Sequence, residues 1–529
     1  MTALRTRLGV AAVAATAALV LAACSGGSTP EQTATGSAPA GETTSAAPEE
    51  PAGGPLPDDQ QNLVVATNYA VQAIDITKAP LEIGMNQVMS QVLQTLVNVE
   101  GQDVTPELAE SWDWTDDTTL VFHLRQGVTF SDGAAFTADD VVASLKRYID
   151  QEQALKTVLA TIASYEATDP MTVTVKTTAP YGPLVGVFGL IYIGQAAHAT
   201  DDAYWNAPIG TGPFVFDEFV ANDHVSLSRN DAYWGTKATL KTLTFRLMTE
   251  TAAKITALST GEVQVLGDVP ADQVETVKAL PNITFQDADS ISYYFIWFNN
   301  GKAPLDDVKV RQAMWEALDI PTILSTLYAG TAEPMTSFCP ASAFGCVAPT
   351  QGLPKYDPDH AKQLLAEAGH PDGFTVDIIF NTSNTDYPNL VQAMVGYWKA
   401  IGVTVDVRGE DSATWLADLN GKNFFMDTQP NQTITGDADY TLNRLYSCAA
   451  ARLGYCNPDL DAIMTQARES TDPAERQKLY QQTVDIMATD LPAIPLLSLK
   501  LNTAAASNVQ GLTIPPNDFI DYSTVSLVG

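Results

Sequence analysis

From Asn62 to Gly529 the chain runs without a low-complexity break. That length exceeds what one hydrophobic core can hold, so at least two packed lobes are expected. Strand-like and helix-like runs alternate through it at no fixed period, which predicts a mixed α/β chain and excludes a repeat solenoid. Leu63-Val64-Val65-Ala66 reads as a short buried strand. Met85 to Val99 carries helical apolar spacing at Val88, Val92 and Leu96, and Thr119 to Arg125 alternates with Leu120, Phe122 and Leu124 on one face.

Ahead of this region the chain opens with Arg5 and Arg7, then an uncharged, Ala- and Val-rich run from Leu8 to Ala23. The run is too short to cross roughly 30 Å of hydrocarbon, and a basic start with small residues at its end reads as a secretory signal. Its last residues, Leu21-Ala22-Ala23-Cys24, match the bacterial lipobox, so Cys24 is expected to be the lipidated first residue of the mature protein. From Ser25 to about Gln60 the chain is mostly Ser, Thr, Ala, Pro, Gly and Glu. Such a segment buries too little apolar surface to fold and reads as a flexible tether.

With 28 Lys and Arg against 62 Asp and Glu the formal charge is −34, and removal of the signal would take two arginines and no acid. No cluster of basic residues is present, which argues against a nucleic-acid partner. A surface this acidic also repels an anionic leaflet, leaving the lipid to do the anchoring. Beyond Cys24 the cysteines fall close together in sequence, Cys339 with Cys346 and Cys448 with Cys456. Outside the cytoplasm such pairs read as disulfides. A four-thiolate zinc site is the alternative, but no Cys-x-x-Cys is present.

The stretch Arg125 to Val141, RQGVTFSDGAAFTADDV, gathers Asp132, Asp139 and Asp140 and poses the question of a catalytic or metal site. Gly127 and Ser131-Asp132-Gly133 supply turn chemistry. Thr137 with Asp140 three residues on is a capping-box arrangement before the apolar helix face Val141, Val142, Leu145, Tyr148 and Ile149. Calcium-loop spacing is absent, and the carboxylates are expected to serve the scaffold. Further helix starts are expected at Leu305-Asp306-Asp307, Asp357-Pro358 and Asp472-Pro473. A strand is expected over Ser292 to Asn299.

These segments together resemble the family 5 extracellular solute-binding proteins, the peptide/nickel-type receptors of ABC importers. The resemblance lies in HLRQGVTFSDGAAFTADDVVASLKR, in Ile209-Gly-Thr-Gly-Pro-Phe214 with Arg229-Asn-Asp-Ala-Tyr-Trp234, and in Phe298-Asn-Asn with the segment Pro304 to Ala313. The helix at Asp357 and Leu491-Pro-Ala-Ile-Pro-Leu496 complete it. It implies a two-lobed α/β fold of the periplasmic-binding-protein type, with mixed sheets, a central cleft and two hinge crossings. It divides the chain into a signal peptide 1–23, a tether 24–61, a first lobe 62–295 with an inserted subdomain at about 80–205, a second lobe 296–494 and a return 495–529 to the first lobe. It implies a monomeric receptor on the outer face of the cell membrane that closes on its ligand and delivers it to a membrane permease. It implies no catalysis and no cofactor.

Peptide receptors of this family hold the ligand's α-amine with an Asp ahead of the first paired cysteine. Counting back from Cys448, that position falls on Ile434, which cannot pair with an ammonium. Thr435-Gly436-Asp437-Ala438-Asp439-Tyr440 is similar to the pattern of the glutathione-type branch, in which Asp437 could take over the amine contact or serve as a helix cap. Position in the family fold adds Asn68 and Tyr69 after the first strand, Trp297 and Asn299 at the crossing, and Gln429, Asn431 and Thr433 on a second-lobe strand. Amides and hydroxyls among aromatics suit a polar, peptide-like ligand.

Other ligands in the family are oligosaccharides, nickel chelates and haem, but His123, His198, His224, His360 and His370 are scattered at no metal-ligand spacing. A solute sensor without transport is a further alternative. A cell-wall peptide hydrolase would need a nucleophile or acid–base motif, and neither Gly-x-Ser-x-Gly nor His-Glu-x-x-His occurs.

Overall fold

The computed structural model describes residues 53–71, 74–78, 82–151, 155–384 and 386–529. The signal segment, Cys24 and the tether as far as residue 52 lie outside the described residues. The end of the expected tether is not free: Leu56 N donates to Leu527 O at 2.8 Å, and Gln61 Nε2 donates to Leu527 O at 2.9 Å. Gln61 is buried, and Leu56 packs against the first lobe's core. The Leu56 main chain and the Gln61 side-chain amide thus fasten this segment to Leu527.

Among the described residues eleven strands form one sheet. In the first lobe Asn62–Thr67 runs parallel to Thr242–Leu247 and to Val265–Leu266. In the second, Thr375–Asn381 runs parallel to Thr404–Glu410 and to Met426–Gln432. Parallel strands must be covered on both faces, and the inward residues are accordingly Leu63, Val65, Val376, Ile378 and Ile379, all buried.

The long antiparallel strands Ile283–Phe298 and Ala493–Ala506 belong to both halves of the sheet. Their ladder breaks register between Asp289 and Tyr293. On one side of the break they join the first lobe through Leu266↔Ala504, and on the other they join the second through Ser292↔Gln432 to Phe298↔Met426. The apolar packing divides at the same place. Tyr293 to Phe298 and Ala493 to Leu497 belong to the second lobe's core, whereas Ala504 and Ala505 belong to clusters of the first. A third body, with its own core running from Leu96 to Ile193, carries a four-stranded sheet over Ala109–Asp116, Thr119–Leu124, Thr172–Thr177 and Ile162–Asp169.

The helix expected over Met85 to Val99 is shorter: it spans Ile83–Met89, and Val97–Glu100 is a strand paired with Asp103–Pro106. Val92 and Leu96 remain buried although they are not helical, so the helical period reflects burial alone. Gly101, at φ 62, makes the turn that pairs the strands. Asp132 and Asp140 of the Arg125–Val141 stretch hold main-chain N–H groups. Asp132 accepts from Ala134 N at 2.9 Å, and Asp140 accepts from Thr137 N at 2.8 Å and from Ala196 N at 2.8 Å. The helix they open is Ala138–Gln151.

Candidate functional site

The cleft between the lobes is walled by loops at the C-terminal ends of the parallel strands, as in other open α/β sheets. On the first lobe these loops carry Asn68 and Tyr69, which follow Asn62–Thr67, and Asp268, which follows Val265–Leu266. On the second they carry Asn384 and Asp386, which follow Thr375–Asn381. A cavity of about 260 Å³ lies between them, lined by Asp268, Pro270, Tyr328, Asp386, Lys500 and Asn502. Asp268 also borders a smaller hollow with Asn68, Tyr69, Gln87 and Asp518. A third cavity, about 140 Å³, is lined by Gln91, Asn98, Leu190, Ile434, Asn517 and Phe519. A larger cavity, about 510 Å³, lies between Val158 and Tyr181 of the third body and Asp439, Arg444 and Arg468 of the second lobe.

The first-lobe wall is acidic. Burial raises the carboxyl of Asp268 above the usual carboxylate range, against the opposing influence of its neighbours Tyr69, Lys254 and Asn68. Burial, with the neighbouring Asp268, pushes Asp518 up to about 8, although Gln87 Nε2 donates to its Oδ2 at 2.8 Å. Lys254 is itself pushed down by burial. Across the cleft Tyr294 Oη donates to Asp386 Oδ2 at 3.3 Å and accepts from Asn384 Nδ2 at 3.2 Å.

The residues expected to bind ligand divide into two groups. Asn68 is exposed and Tyr69 half-buried on the cleft wall. Trp297 and Asn299 are core residues instead. Trp297 is 1 % exposed and packs on Phe295, because its strand position faces the second lobe's interior. Asn299 is spent tying Lys422 O and Phe424 O at 3.2 and 3.0 Å. Gln429 donates to Asp427 Oδ2 at 2.6 Å, and Trp415 Nε1 donates to Oδ1 of the same carboxylate at 2.8 Å. Burial pushes Asp427 up to about 7. Asn431 bonds Tyr293 Oη at 2.7 Å, and Thr433 bonds Thr441 at 2.9 Å, both buried.

Asp437 is the N-cap of the helix Ala438–Tyr446 and accepts from Asp439 N at 2.9 Å. Its carboxylate also holds Arg476 at 2.7 Å and accepts from Tyr480 Oη at 3.2 Å. An amine contact at Asp437 is therefore replaced by an internal ion pair: a buried guanidinium already takes the charge a ligand would need. Ile434, by contrast, lines the 140 Å³ cavity.

Sequence reasoning missed Asp268, Tyr294, Tyr328, Asp386 and Asp518. Asp268 and Asp518 sit next to turn-forming Gly267 and Asn517 and carry no pattern that distinguishes them from ordinary turn residues. Both have left-handed backbones, φ 50 and 64.

Residues 103–452 match the model of the bacterial extracellular solute-binding proteins, family 5 middle. The glutathione-binding protein GsiB of Escherichia coli (strain K12) is 29% identical over 444 residues, covering 79% of this chain and 85% of that protein. Among solved structures, HbpA2 from Haemophilus parasuis superposes with a TM-score of 0.81 at 25% identity, covering 88% of this chain and 99% of that one. DppA from Helicobacter pylori, in complex with the peptide STSA, superposes with a TM-score of 0.72 at 24% identity, covering 89% and 99%.

Proposed function

The chain belongs to the bacterial extracellular solute-binding proteins, family 5, and from that premise we propose that it captures a peptide-like solute in the interlobe cleft and delivers it to the permease of an ABC importer. The observation that carries this reading is the join between the lobes. Among the described residues only the strands Ile283–Phe298 and Ala493–Ala506 pass between the halves of the sheet, and their register breaks at Asp289–Tyr293. Rotation about that break opens and closes the cleft with little change inside either core. A ligand touching both walls stabilises the closed form, because only that form gives it both sets of contacts.

The cleft walls offer carboxylates, amides and phenols, the groups that bind a polar chain with amine and amide functions. The relative GsiB is named for glutathione, itself peptide-like, which supports the same class. The receptor works as a monomer, held at the outer face of the cell membrane by a lipid on Cys24. Native mass spectrometry of the purified protein tests the ligand class. A peptide mass released on denaturation, and re-bound in a calorimetric titration, is the expected result. A sugar or a metal chelate in its place would overturn the reading.

A further inference from the structure

Asp268 Oδ2 is sealed from solvent and has no hydrogen-bond partner among the described residues. A buried carboxylate oxygen left in that state is costly unless a donor arrives. Across the 260 Å³ cavity Tyr328 is 6 % exposed, and its hydroxyl also lacks a partner among the described residues. Asp386 lines the same cavity, and Asp518 borders the adjoining hollow together with Asp268.

The positive charges nearby do not cancel this set. Lys500 is spent on Glu333 at 2.6 Å and Asp287 at 3.3 Å. Lys254, itself buried, supplies a single charge near Asp268. Among the described residues no group of three His, Cys, Asp or Glu side chains converges as a metal site would require. An unmatched oxygen on each wall, carboxyl groups that an arriving cation would draw into the ionised form, and room for a few heavy atoms define a pocket for a hydrogen-bond-rich organic cation.

We propose that Asp268, backed by Asp518 and faced by Tyr328 and Asp386, is a subsite for a protonated amino or guanidino group of the ligand, recognised chiefly from the first lobe. The proposal rests on the peptide-receptor reading above and sharpens it. Since Ile434 offers no charge and Asp437 is taken by Arg476, the positive end of the ligand is held on the opposite wall. The receptor therefore selects cationic peptides over anionic ones. An ammonium there bonds to both lobes at once, which couples recognition of charge to closure.

The test is calorimetric titration of the full chain, freed of endogenous ligand by unfolding and refolding, with Lys-Ala-Ala, with acetyl-norleucyl-Ala-Ala of similar shape but without a cation, and with 1,5-diaminopentane. Lys-Ala-Ala should bind about thirtyfold or more tightly than the neutral analogue, the scale of a desolvated charge contact. Asp268→Asn should erase most of that preference. Tyr328→Phe, which removes only an unpartnered oxygen and leaves the core packing intact, should narrow it. Equal binding of both peptides, or Lys-Ala-Ala binding that Asp268→Asn leaves unchanged, overturns the subsite and leaves peptide capture standing. Binding of the diamine alone, lost in Asp268→Asn, supports the subsite and overturns the peptide reading. No binding of any probe overturns both.

Discussion

Asp437 shows how one carboxylate can be legible in sequence as a cap and illegible as a charge. Its place ahead of Ala438-Asp439 marks a helix start, but its ion-pair partner Arg476 lies 39 residues on, on a different helix, and no local pattern announces it. Removing one partner of a buried pair strands the other. Asp437→Ala should therefore cost about 3–5 kcal/mol of stability, read by urea unfolding, while the folded fraction binds ligand as the wild type does. A large loss of affinity at unchanged stability would return Asp437 to the binding site. Asp427 makes the opposite kind of prediction. Its carboxyl is fully buried and pushed up to about 7 by that burial. Between the unfolded value near 4 and that folded value, the native state holds a proton that the unfolded state releases. Stability contributed by this group thus falls as pH rises through that window, by at most about 1.4 kcal/mol per pH unit. Asp427→Asn keeps an acceptor for Trp415 and removes the titration. Unfolding curves at pH 5 and pH 7.5 should lie closer together in the variant than in the wild type, and an unaltered gap would mean that Asp427 stays ionised.

At the scale of elements, what sequence reveals is what local chemistry determines. The helices opened by Asp307, Asp357 and Asp472 begin where their caps place them, with each side chain accepting from a first-turn N–H. The strand expected over Ser292 to Asn299 is the apolar half of Ile283–Phe298; its other half, with Gln286, Asp287 and Asp289 exposed or half-exposed, carries too weak a pattern to be read. The cleft wall was hidden for the same reason, since Asp268, Asp386 and Asp518 lie in loops that only tertiary packing brings together. The disulfides are an intermediate case, local in sequence and formed as expected: Cys339–Cys346 spans a separation of 7 and Cys448–Cys456 a separation of 8. Cys448–Cys456 joins the end of Ala438–Tyr446 to the start of Pro458–Glu469. Replacing both cysteines by Ala should cost about 2.5 kcal/mol through the unfolded chain's regained freedom. Thiol labelling of the unreduced, denatured protein should find these four cysteines blocked, and labels on them would refute the pairing.

For the whole molecule two things follow from the proposed function, anchoring and closure. Anchoring is tested directly: Cys24→Ala should release the protein into the medium, and continued membrane retention would show that something other than a lipid holds it. The third body meets the second lobe backbone to backbone. Gly182 N donates to Arg468 O at 2.7 Å, and a Cβ added at Gly182 would stand 2.0 Å from Ser470 O. The hairpin at Gly101 repeats the motif, since a Cβ on Gly436 would stand 2.1 Å from Gly101 O. Beside Gly182, Tyr181 Oη donates to Asp439 Oδ2 at 3.5 Å. A main-chain oxygen cannot swing aside as a flexible side chain can, so Gly182→Ala must push the third body away from the second lobe. Overpacking of this kind costs about 1–3 kcal/mol. If the contact exists only in the closed form, that cost falls on closure alone. Ligand affinity then drops by about five- to a hundredfold, while the melting temperature of the ligand-free protein stays where it was. Small-angle scattering should show the variant failing to compact when ligand is added at a concentration that compacts the wild type. A variant that melts earlier without ligand, yet binds as tightly as before, would show instead that Gly182 is packed against Ser470 in both states, and the moving surface would have to be sought elsewhere.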